Sequence, residues 1–150
     1  MAIGSESLAR GILHSVASRN RAVVEQLIGL MNTRDTRPTH LFHPDIEWHW
    51  AAAIPGPTIF RGHEELTKGL DTWIESWDEL VVEPLEFFED GDYVLALTQY
   101  RMRGAGSGVY LEAPVAHLHQ FTDDGLVRRW WMFGDAAKAR RRFLAGDRPG

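Results

Sequence analysis

The sequence predicts an α+β domain, in which helices lie on one side of an antiparallel sheet. Apolar residues recur at helical spacing between residues 20 and 33, and several strand-like runs joined by short turns follow residue 80. Strands connected by hairpins, with the helices grouped together, are typical of the α+β class rather than the α/β class. The clearest hairpin signal is Asp123-Asp124-Gly125 between two alternating runs, because Gly accepts positive φ and Asp-Gly favours tight hairpin turns.

The N-terminal part is predicted to be helical. Residues 1–19 begin polar and then place apolar side chains at helical spacing, and a second apolar stripe runs from Asn20 to Thr33. These two segments form either one bent helix or two helices. Arg34 to Pro38 ends the pattern, because helix is disfavoured at the residue before a proline, and a short helical turn is predicted over residues 39–42.

The middle of the chain predicts a strand, a loop and a helix. Asp45 to Trp50 alternates, with Ile46, Trp48 and Trp50 on one face, as in a half-buried strand. Residues 51–60 contain Pro55-Gly56-Pro57 and are predicted to be a loop that covers whatever Trp48 and Trp50 line. Helical spacing returns from His63 to Trp77.

Four strands in a meander and a last helix complete the prediction. The strands are expected over residues 80–88, 93–103, 109–121 and 126–133. Four consecutive apolar residues, Trp130 to Phe133, indicate that both faces of the last strand are covered. Asp135 is predicted to cap a helix from Ala136 to about Leu144.

Composition limits the class of protein and its partners. With 150 residues, no internal repeat and no linker, the chain is predicted to be one domain over residues 1–150. The formal net charge of -5 argues against a nucleic-acid partner. Zero Cys excludes disulfides, a thiol nucleophile and Cys-bound zinc, and fits a cytoplasmic location. No apolar run reaches the ~20 residues that span a membrane, and we see no signal peptide.

His117 and His119 are the candidate catalytic residues. They lie two apart on a predicted strand, so both side chains project from one face. A His in an apolar pocket titrates near neutrality and can act as acid or base. The alternative is that one His is a hydrogen-bonded core residue and the other lies at the rim. A metal site with His49 or Glu112 as third ligand is a further alternative, but nothing fixes that ligand, and neither metal nor cofactor is predicted.

Aromatic residues are unusually abundant, with six Trp and seven Phe. Stiff aromatic rings line pockets for apolar ligands, and they also fill cores. We expect Trp73 and Trp77 to be core residues. Tyr100 offers a hydroxyl to a ligand oxygen or to the backbone. The candidate substrate-binding residues are Trp48, Trp50, Phe60, Tyr100, Met102 and Trp131.

Seven short segments carry a resemblance to a known family. They are Met31–Asp35, His43–Trp48, Arg61–Leu66, Asp90–Asp92, Gly104–Gly108, Asp124–Val127 and Phe133–Asp135. Together and in this order, over about residues 20–144, they resemble the SnoaL-like polyketide cyclases of the NTF2-like, ketosteroid isomerase-like superfamily. The resemblance implies a cone-shaped, cystatin-like fold, with helices packed on a curved antiparallel sheet around an apolar pocket, and homodimers formed through the sheet.

The catalytic residues of these families carry over poorly. The oxyanion-hole Tyr of the ketosteroid isomerases falls near Leu27, and their general-base Asp falls near Trp50. Their protonated Asp falls at His117 or Ala116. The polyketide cyclases resemble this chain at His117, but their Asp on the last strand falls near Trp131. The missing base argues against ketosteroid isomerisation, and the missing Asp argues against aldol cyclisation.

Two functions therefore stay open. One is a cofactor-free isomerase, dehydratase or cyclase that acts on a small hydrophobic cyclic molecule, with His117 as general acid/base and His119 as its helper. The other is a non-catalytic module for small-molecule binding or dimerisation. The expected partners are a small hydrophobic molecule and a second copy of the chain, without nucleic acid or membrane.

Overall fold

A computed structural model describes residues 19–35, 37–50 and 59–149. Helix α1 extends to residue 32 and is described from residue 19. The elements after it are a 3-10 helix Thr39–Leu41, β1 Phe42–Trp50, β2 Ile59–Arg61, α2 Gly62–Glu75, β3 Trp77–Asp90, β4 Tyr93–Gly104, β5 Tyr110–Phe121, β6 Val127–Phe133 and α3 Ala136–Leu144. The helix predicted over residues 1–19 and most of the predicted loop over residues 51–60 lie outside the described residues.

The six strands form one curved, open sheet in the order β2-β1-β6-β5-β4-β3. The α+β class is confirmed, but the sheet is mixed, because β1 and β6 are parallel whereas the other neighbours are antiparallel. The prediction of a wholly antiparallel sheet is therefore wrong at one pair. After β2 the chain crosses through α2 to the opposite edge, and the meander then returns β6 alongside β1 in the same direction.

The hairpin between β5 and β6 has the predicted turn. Gly125 has φ 84°, in the left-handed region that Gly accepts. The turn is closed by hydrogen bonds from Thr122 N–H to the Leu126 carbonyl at 2.8 Å and from Gly125 N–H to the Thr122 carbonyl at 3.0 Å. The turn therefore brings β6 back beside β5, with His119 opposite Trp130.

The sheet has an inner face, on which α1 and α2 pack, and an outer face, on which α3 packs. The prediction that the helices lie on one side of the sheet is therefore wrong for α3. The main core lies on the inner face and includes Val24 of α1, Leu66 of α2, Trp48 and Trp130. A smaller core lies on the outer face and contains Leu95, Ala116, Leu118, Trp131 and Phe143. Both faces of β6 are thus covered, as the apolar run from Trp130 to Phe133 predicts.

Several elements differ from the predicted boundaries. The alternation predicts a strand from Asp45, but β1 begins at Phe42. Spacing predicts a helix to Trp77, but α2 ends at Glu75 and Trp77 begins β3. The Arg34 guanidinium donates to the backbone oxygens of Ile74 at 2.8 Å and Trp77 at 2.6 Å, and so satisfies carbonyls at the helix end. Ile59 and Phe60, predicted as loop, belong to β2, which pairs with β1.

The predicted cap of the last helix is confirmed. The Asp135 side chain accepts a hydrogen bond from Lys138 N–H at 3.0 Å, and so caps α3 as predicted. Within the described ranges, no helix is long and apolar enough to cross a membrane.

Candidate functional site

The two predicted histidines lie side by side on the inner face of β5. His117 is 1% exposed and His119 is 2% exposed. Their ring centroids are 6.1 Å apart and the rings are nearly parallel, with an interplanar angle of 17°. Both rings stack against Trp130, which lies on the neighbouring strand. The shared face predicted from their spacing is therefore observed, and neither residue lies at a solvent-exposed rim.

His117 forms the centre of a hydrogen-bonded chain across three adjacent strands. Its Nε2 lies 2.6 Å from the Tyr100 hydroxyl, which comes from β4. Its Nδ1 accepts a hydrogen bond of 3.0 Å from the indole N–H of Trp130, which comes from β6. Tyr100 and Trp130 are also buried. Both ring nitrogens of His117 thus have partners, which holds the ring orientation from two sides.

Burial keeps the hydrogen-bonded side chains of Tyr100 and His117 uncharged. Desolvation lowers the pKa of His117 to about 3, and the charge that His119 would carry acts in the same direction. Desolvation also lowers the pKa of His119 to about 4, although a backbone hydrogen bond with Val94 opposes the change. Burial raises the pKa of Tyr100 well above its ordinary value. The expectation that His117 titrates near neutrality is therefore wrong, because burial removes the water that would stabilise the imidazolium.

Most of the predicted substrate-binding residues lie together around the hydrogen bonds of His117. Trp48 stacks on Trp130 with centroids 4.8 Å apart, and it also contacts Trp50 at 5.5 Å and Phe60 at 5.1 Å. Met102 belongs to the same core. We call the inner-face rings the ring cluster; it comprises Trp48, Trp50, Phe60, Trp73, Trp77, Tyr100 and Trp130.

Trp131, also predicted to bind substrate, is not part of the ring cluster. It lies on the outer face, stacks on His49 at 5.4 Å and packs with Leu118. The inner position belongs to Trp130, which sequence reasoning missed. Neighbouring strand residues point to opposite faces, so an apolar pair alone does not show which one faces inward. Counting regular pairs back from the Asp-Gly turn would put Trp131 opposite His117. The register shift between Gln120 and Phe121 puts Trp130 opposite His119 instead, and no local signal in the sequence gives that shift.

Trp73 and Trp77, predicted as core residues, extend the ring cluster towards solvent. Trp73 contacts Trp50 at 4.7 Å, Trp77 at 5.4 Å and Tyr100 at 6.5 Å. The rings of Trp50, Trp73 and Trp77 are partly exposed. The indole N–H groups of these three residues and of Trp48 are buried, and none has a hydrogen-bond partner within the part of the chain that the structure describes. Within the described part of the chain, the ring cluster therefore contains four indole N–H donors without a partner.

Carboxylates are scarce near His117. Among residues 19–35, 37–50 and 59–149, the buried polar side chains are Asn20, Thr98, His117 and His119, without any Asp or Glu. Glu89 on β3 faces inward by register, since it pairs with Val94, which pairs with His119. The backbone of Glu89 is therefore two strands from the backbone of His119, roughly 10 Å away at ordinary strand spacing. The fully buried side chains around His117 thus include no Asp or Glu within the described ranges.

The metal alternative fails on geometry. His49 and Glu112 were its possible third ligands, but His49 stacks on Trp131 on the outer face, and Glu112 pairs there with Arg101 at 3.6 Å. The sheet separates both from His117 and His119. Across the described ranges, no group of three His, Asp or Glu side chains is arranged to hold a metal ion.

The outer face contains a cavity of about 320 Å³ between α3 and strands β4 and β5. Its floor is apolar, with Leu95, Leu118 and Phe143, and Lys138 and Arg142 also line it. This cavity is separate from the ring cluster, because it lies across the sheet. A pocket within the ring cluster stays a prediction.

Comparison with known proteins identifies the family. Residues 24–130 match the SnoaL-like domain family, so the chain belongs to it. No curated protein matches the chain. Among solved structures, it is similar to an NTF2-like protein of unknown function from Burkholderia pseudomallei K96243, with 20% identity, a TM-score of 0.71, and coverage of 82% of this chain and 95% of that chain.

Two further solved structures have the same fold. TerC, co-crystallised with polyporic acid, is 19% identical, with a TM-score of 0.69 and coverage of 82% of this chain and 96% of that chain. A protein with a ketosteroid isomerase-like fold from Catenulispora acidiphila DSM 44928, in complex with trimethylamine, is 17% identical, with a TM-score of 0.65 and coverage of 74% and 83%. The NTF2-like, cystatin-like fold implied by the resemblance is therefore confirmed.

Proposed function

We propose that this SnoaL-like protein binds a small, flat, hydrophobic molecule that carries an acceptor oxygen, at the partly exposed end of the ring cluster. The observation that carries the proposal is that the buried indole N–H groups of Trp50, Trp73 and Trp77 have no hydrogen-bond partner among the described residues. Leaving a buried donor unsatisfied costs about 1–3 kcal/mol. An acceptor oxygen on a bound molecule would satisfy such a donor, and the indole faces would pack against its rings.

The electrostatics of the site favour this class of ligand. His117 and Tyr100 are neutral at neutral pH, so the inner face offers hydrogen-bond donors without a full charge. Polycyclic or aromatic molecules with carbonyl oxygens match this combination of flat apolar surface and donors. That TerC was co-crystallised with polyporic acid and the Catenulispora protein with trimethylamine supports small-molecule binding on this fold, although at under 25% identity neither indicates the ligand of this chain.

The second candidate is proton-transfer catalysis of the isomerase, dehydratase or cyclase type. It is favoured by the buried pairing of Tyr100 with His117 at 2.6 Å, because a tyrosine hydroxyl can polarise a carbonyl oxygen. A pKa of about 3 makes His117 a weak base and removes the imidazolium needed for a general acid at neutral pH. We therefore place binding first and His-mediated catalysis second.

A matched ligand panel tests the proposal. Fluorenone, naphthoquinone and anthraquinone carry acceptor oxygens, whereas fluorene, naphthalene and anthracene are their oxygen-free counterparts, and trimethylamine serves as a cationic probe. We expect saturable quenching of tryptophan fluorescence by at least one oxygenated compound, tighter than by its hydrocarbon. No saturable binding by any of the three oxygenated compounds would overturn the proposal, as would equal or tighter binding of the hydrocarbons or of trimethylamine.

Two variants locate the binding site. Trp73→Phe keeps an aromatic ring and removes one of the unpartnered indole N–H groups, so affinity for the oxygenated compound should fall about fivefold, in line with one lost hydrogen bond. Trp131→Phe is the matched control, because Trp131 lies on the outer face. An equal loss of affinity in both variants would place the ligand elsewhere.

Turnover of any bound compound, followed by mass spectrometry, would support the catalytic candidate.

A further inference from the structure

The partners of His117 restrict where its proton can lie. The indole N–H of Trp130 is only a donor, and it points at Nδ1 over 3.0 Å. Nδ1 must therefore accept, which requires a nitrogen without a hydrogen. A neutral imidazole carries a single ring proton, and in this arrangement only Nε2 can carry it.

We propose that Trp130 fixes His117 in the tautomer that is protonated at Nε2, so that His117 donates to Tyr100 and leaves the Tyr100 hydroxyl proton free for an acceptor oxygen of the bound molecule. The Nε2 to hydroxyl distance of 2.6 Å then joins an N–H donor to the tyrosine oxygen. The tyrosine proton points away from His117, since its oxygen already accepts there. The last part of this inference rests on the proposed function.

The opposite arrangement fails on the same geometry. If Tyr100 donated to Nε2, the ring proton would lie on Nδ1 and face the Trp130 N–H, so two donors would meet at 3.0 Å. An imidazolium would create the same conflict. The ring of Trp130 cannot turn away easily, because it stacks on Trp48 at 4.8 Å and is only 4% exposed. Trp130 is therefore a positioning residue, which acts on the ligand through His117 and Tyr100.

The tautomer determines which chemical group the site accepts. Tyr100 presents a donor, and accepting the His117 N–H polarises its hydroxyl, because linked hydrogen bonds strengthen one another. The matching group is a carbonyl, enolate or phenolate oxygen. A ligand with only an ammonium or amide N–H at this position would face another donor. The inference thus narrows the ligand to one whose acceptor oxygen reaches the Tyr100 hydroxyl; the Tyr100 ring lies 6.5 Å from the ring of Trp73, at the partly exposed end of the cluster.

Nitrogen-15 NMR of histidine-labelled protein at neutral pH tests the tautomer without any ligand. We expect His117 to show a pyridine-type Nδ1 and a pyrrole-type Nε2. In Trp130→Phe, which keeps a ring but removes the donor, Tyr100 is free to donate to Nε2, so the spectrum should move to the opposite tautomer or to a mixture. Trp131→Phe should leave His117 unchanged. A pyrrole-type Nδ1 in the wild-type protein overturns the inference, even if Trp130→Phe fails to fold.

Affinity measurements test the role of the free tyrosine proton. Tyr100→Phe should weaken binding of the oxygenated compound that the ligand panel identifies roughly tenfold, and should leave binding of its hydrocarbon counterpart unchanged. Unchanged affinity for the oxygenated compound overturns the donor role of Tyr100. If none of the oxygenated compounds binds to the wild-type protein, the proposed function fails and the donor role fails with it, whereas the NMR spectra alone decide the tautomer.

Discussion

The side-chain amide of Asn32 makes both of its hydrogen bonds to the backbone of Val82. Asn32 Nδ2 donates to the Val82 carbonyl at 2.9 Å, and Val82 N–H donates to Asn32 Oδ1 at 2.7 Å. Val82 lies on β3, which is the last strand at one edge of the sheet. An edge strand leaves one row of backbone groups without a neighbouring strand. Asn32 takes the place of that neighbour and ties the end of α1 to the sheet.

We predict that Asn32→Ala lowers the free energy of unfolding by about 1–2 kcal/mol, because two backbone groups of a buried residue lose their partner. Urea denaturation followed by circular dichroism measures the change. Thr33→Ala is the control: the Thr33 hydroxyl, one residue past the end of α1, donates to the Leu30 carbonyl, and its loss should cost less than about 0.5 kcal/mol. Equal stability of the two variants would mean that water replaces Asn32 at the sheet edge.

Two glycines in helices are predicted to respond to alanine in opposite ways. A Cβ at Gly29 meets nothing within 4 Å, so Gly29→Ala should stabilise by about 1 kcal/mol through helix propensity. A Cβ at Gly69 lies 3.0 Å from Phe60 and 3.0 Å from Trp48. Trp48 is 0% exposed, so its ring has little room to move. The added methyl group in Gly69→Ala should therefore destabilise the fold by about 1–3 kcal/mol, which exceeds the gain in helix propensity.

Thermal and urea unfolding of the two glycine variants measure whether each substitution raises or lowers stability. A melting temperature raised in Gly29→Ala and lowered in Gly69→Ala is the expected result. Stabilisation by both substitutions would show that the Phe60 and Trp48 rings move aside readily. In that case the ring cluster would be loosely packed, and the argument that Trp130 is held in place would weaken as well.

Local spacing predicted most elements, but pairing and facing depend on distant residues. The helical stripe of α1, the alternation around Trp48 and the Asp-Gly turn are local signals, and each is observed. The parallel pairing of β1 with β6 follows from the path of the whole meander, so no local pattern contains it. The same limit applies to β2, a strand of three residues that exists only because β1 lies beside it.

In the candidate site, too, some features follow from local sequence and others depend on distant residues. The shared face of His117 and His119 follows from strand alternation and could be predicted. The lowered pKa of His117 depends on desolvation by burial among residues of several strands, and on the neighbouring His119. Trp131 was chosen in place of Trp130 because both are apolar, and only the register with β5 distinguishes them.

Homodimerisation, which the family resemblance implies, stays a prediction. On the outer face away from α3, Val81 is 46% exposed and Tyr110 is 48% exposed, next to the Arg101 to Glu83 ion pair at 2.7 Å. We expect sedimentation at micromolar concentration to show a species of twice the 17.0 kDa chain mass. Val81→Glu should shift it towards the monomer, and Leu144→Glu on α3 should not. A wild-type protein that sediments only as the monomer would refute the prediction.

Acid is predicted to destabilise the protein through its buried histidines. The pKa of His117 falls from 6.5 in the unfolded chain to about 3 in the folded one, so only the unfolded chain binds a proton between these values. Stability is therefore complete above pH 6.5 and decreases as the pH falls towards 3. The loss due to His117 amounts to about 3 kcal/mol by pH 4. His119, with a pKa of about 4, adds a loss of the same sign.

Urea denaturation at a series of pH values between 4 and 8 measures this dependence. His117→Gln should be less stable than the wild-type protein at pH 8, because it breaks the hydrogen-bonded chain, but its stability should decline less steeply below pH 6.5. The control is His40→Gln at an exposed position, which should keep the wild-type slope. If His117→Gln retained the full slope, the imidazole would be taking up its proton within the folded protein, and a neutral, donor-presenting site at Tyr100 could not be maintained at mildly acidic pH.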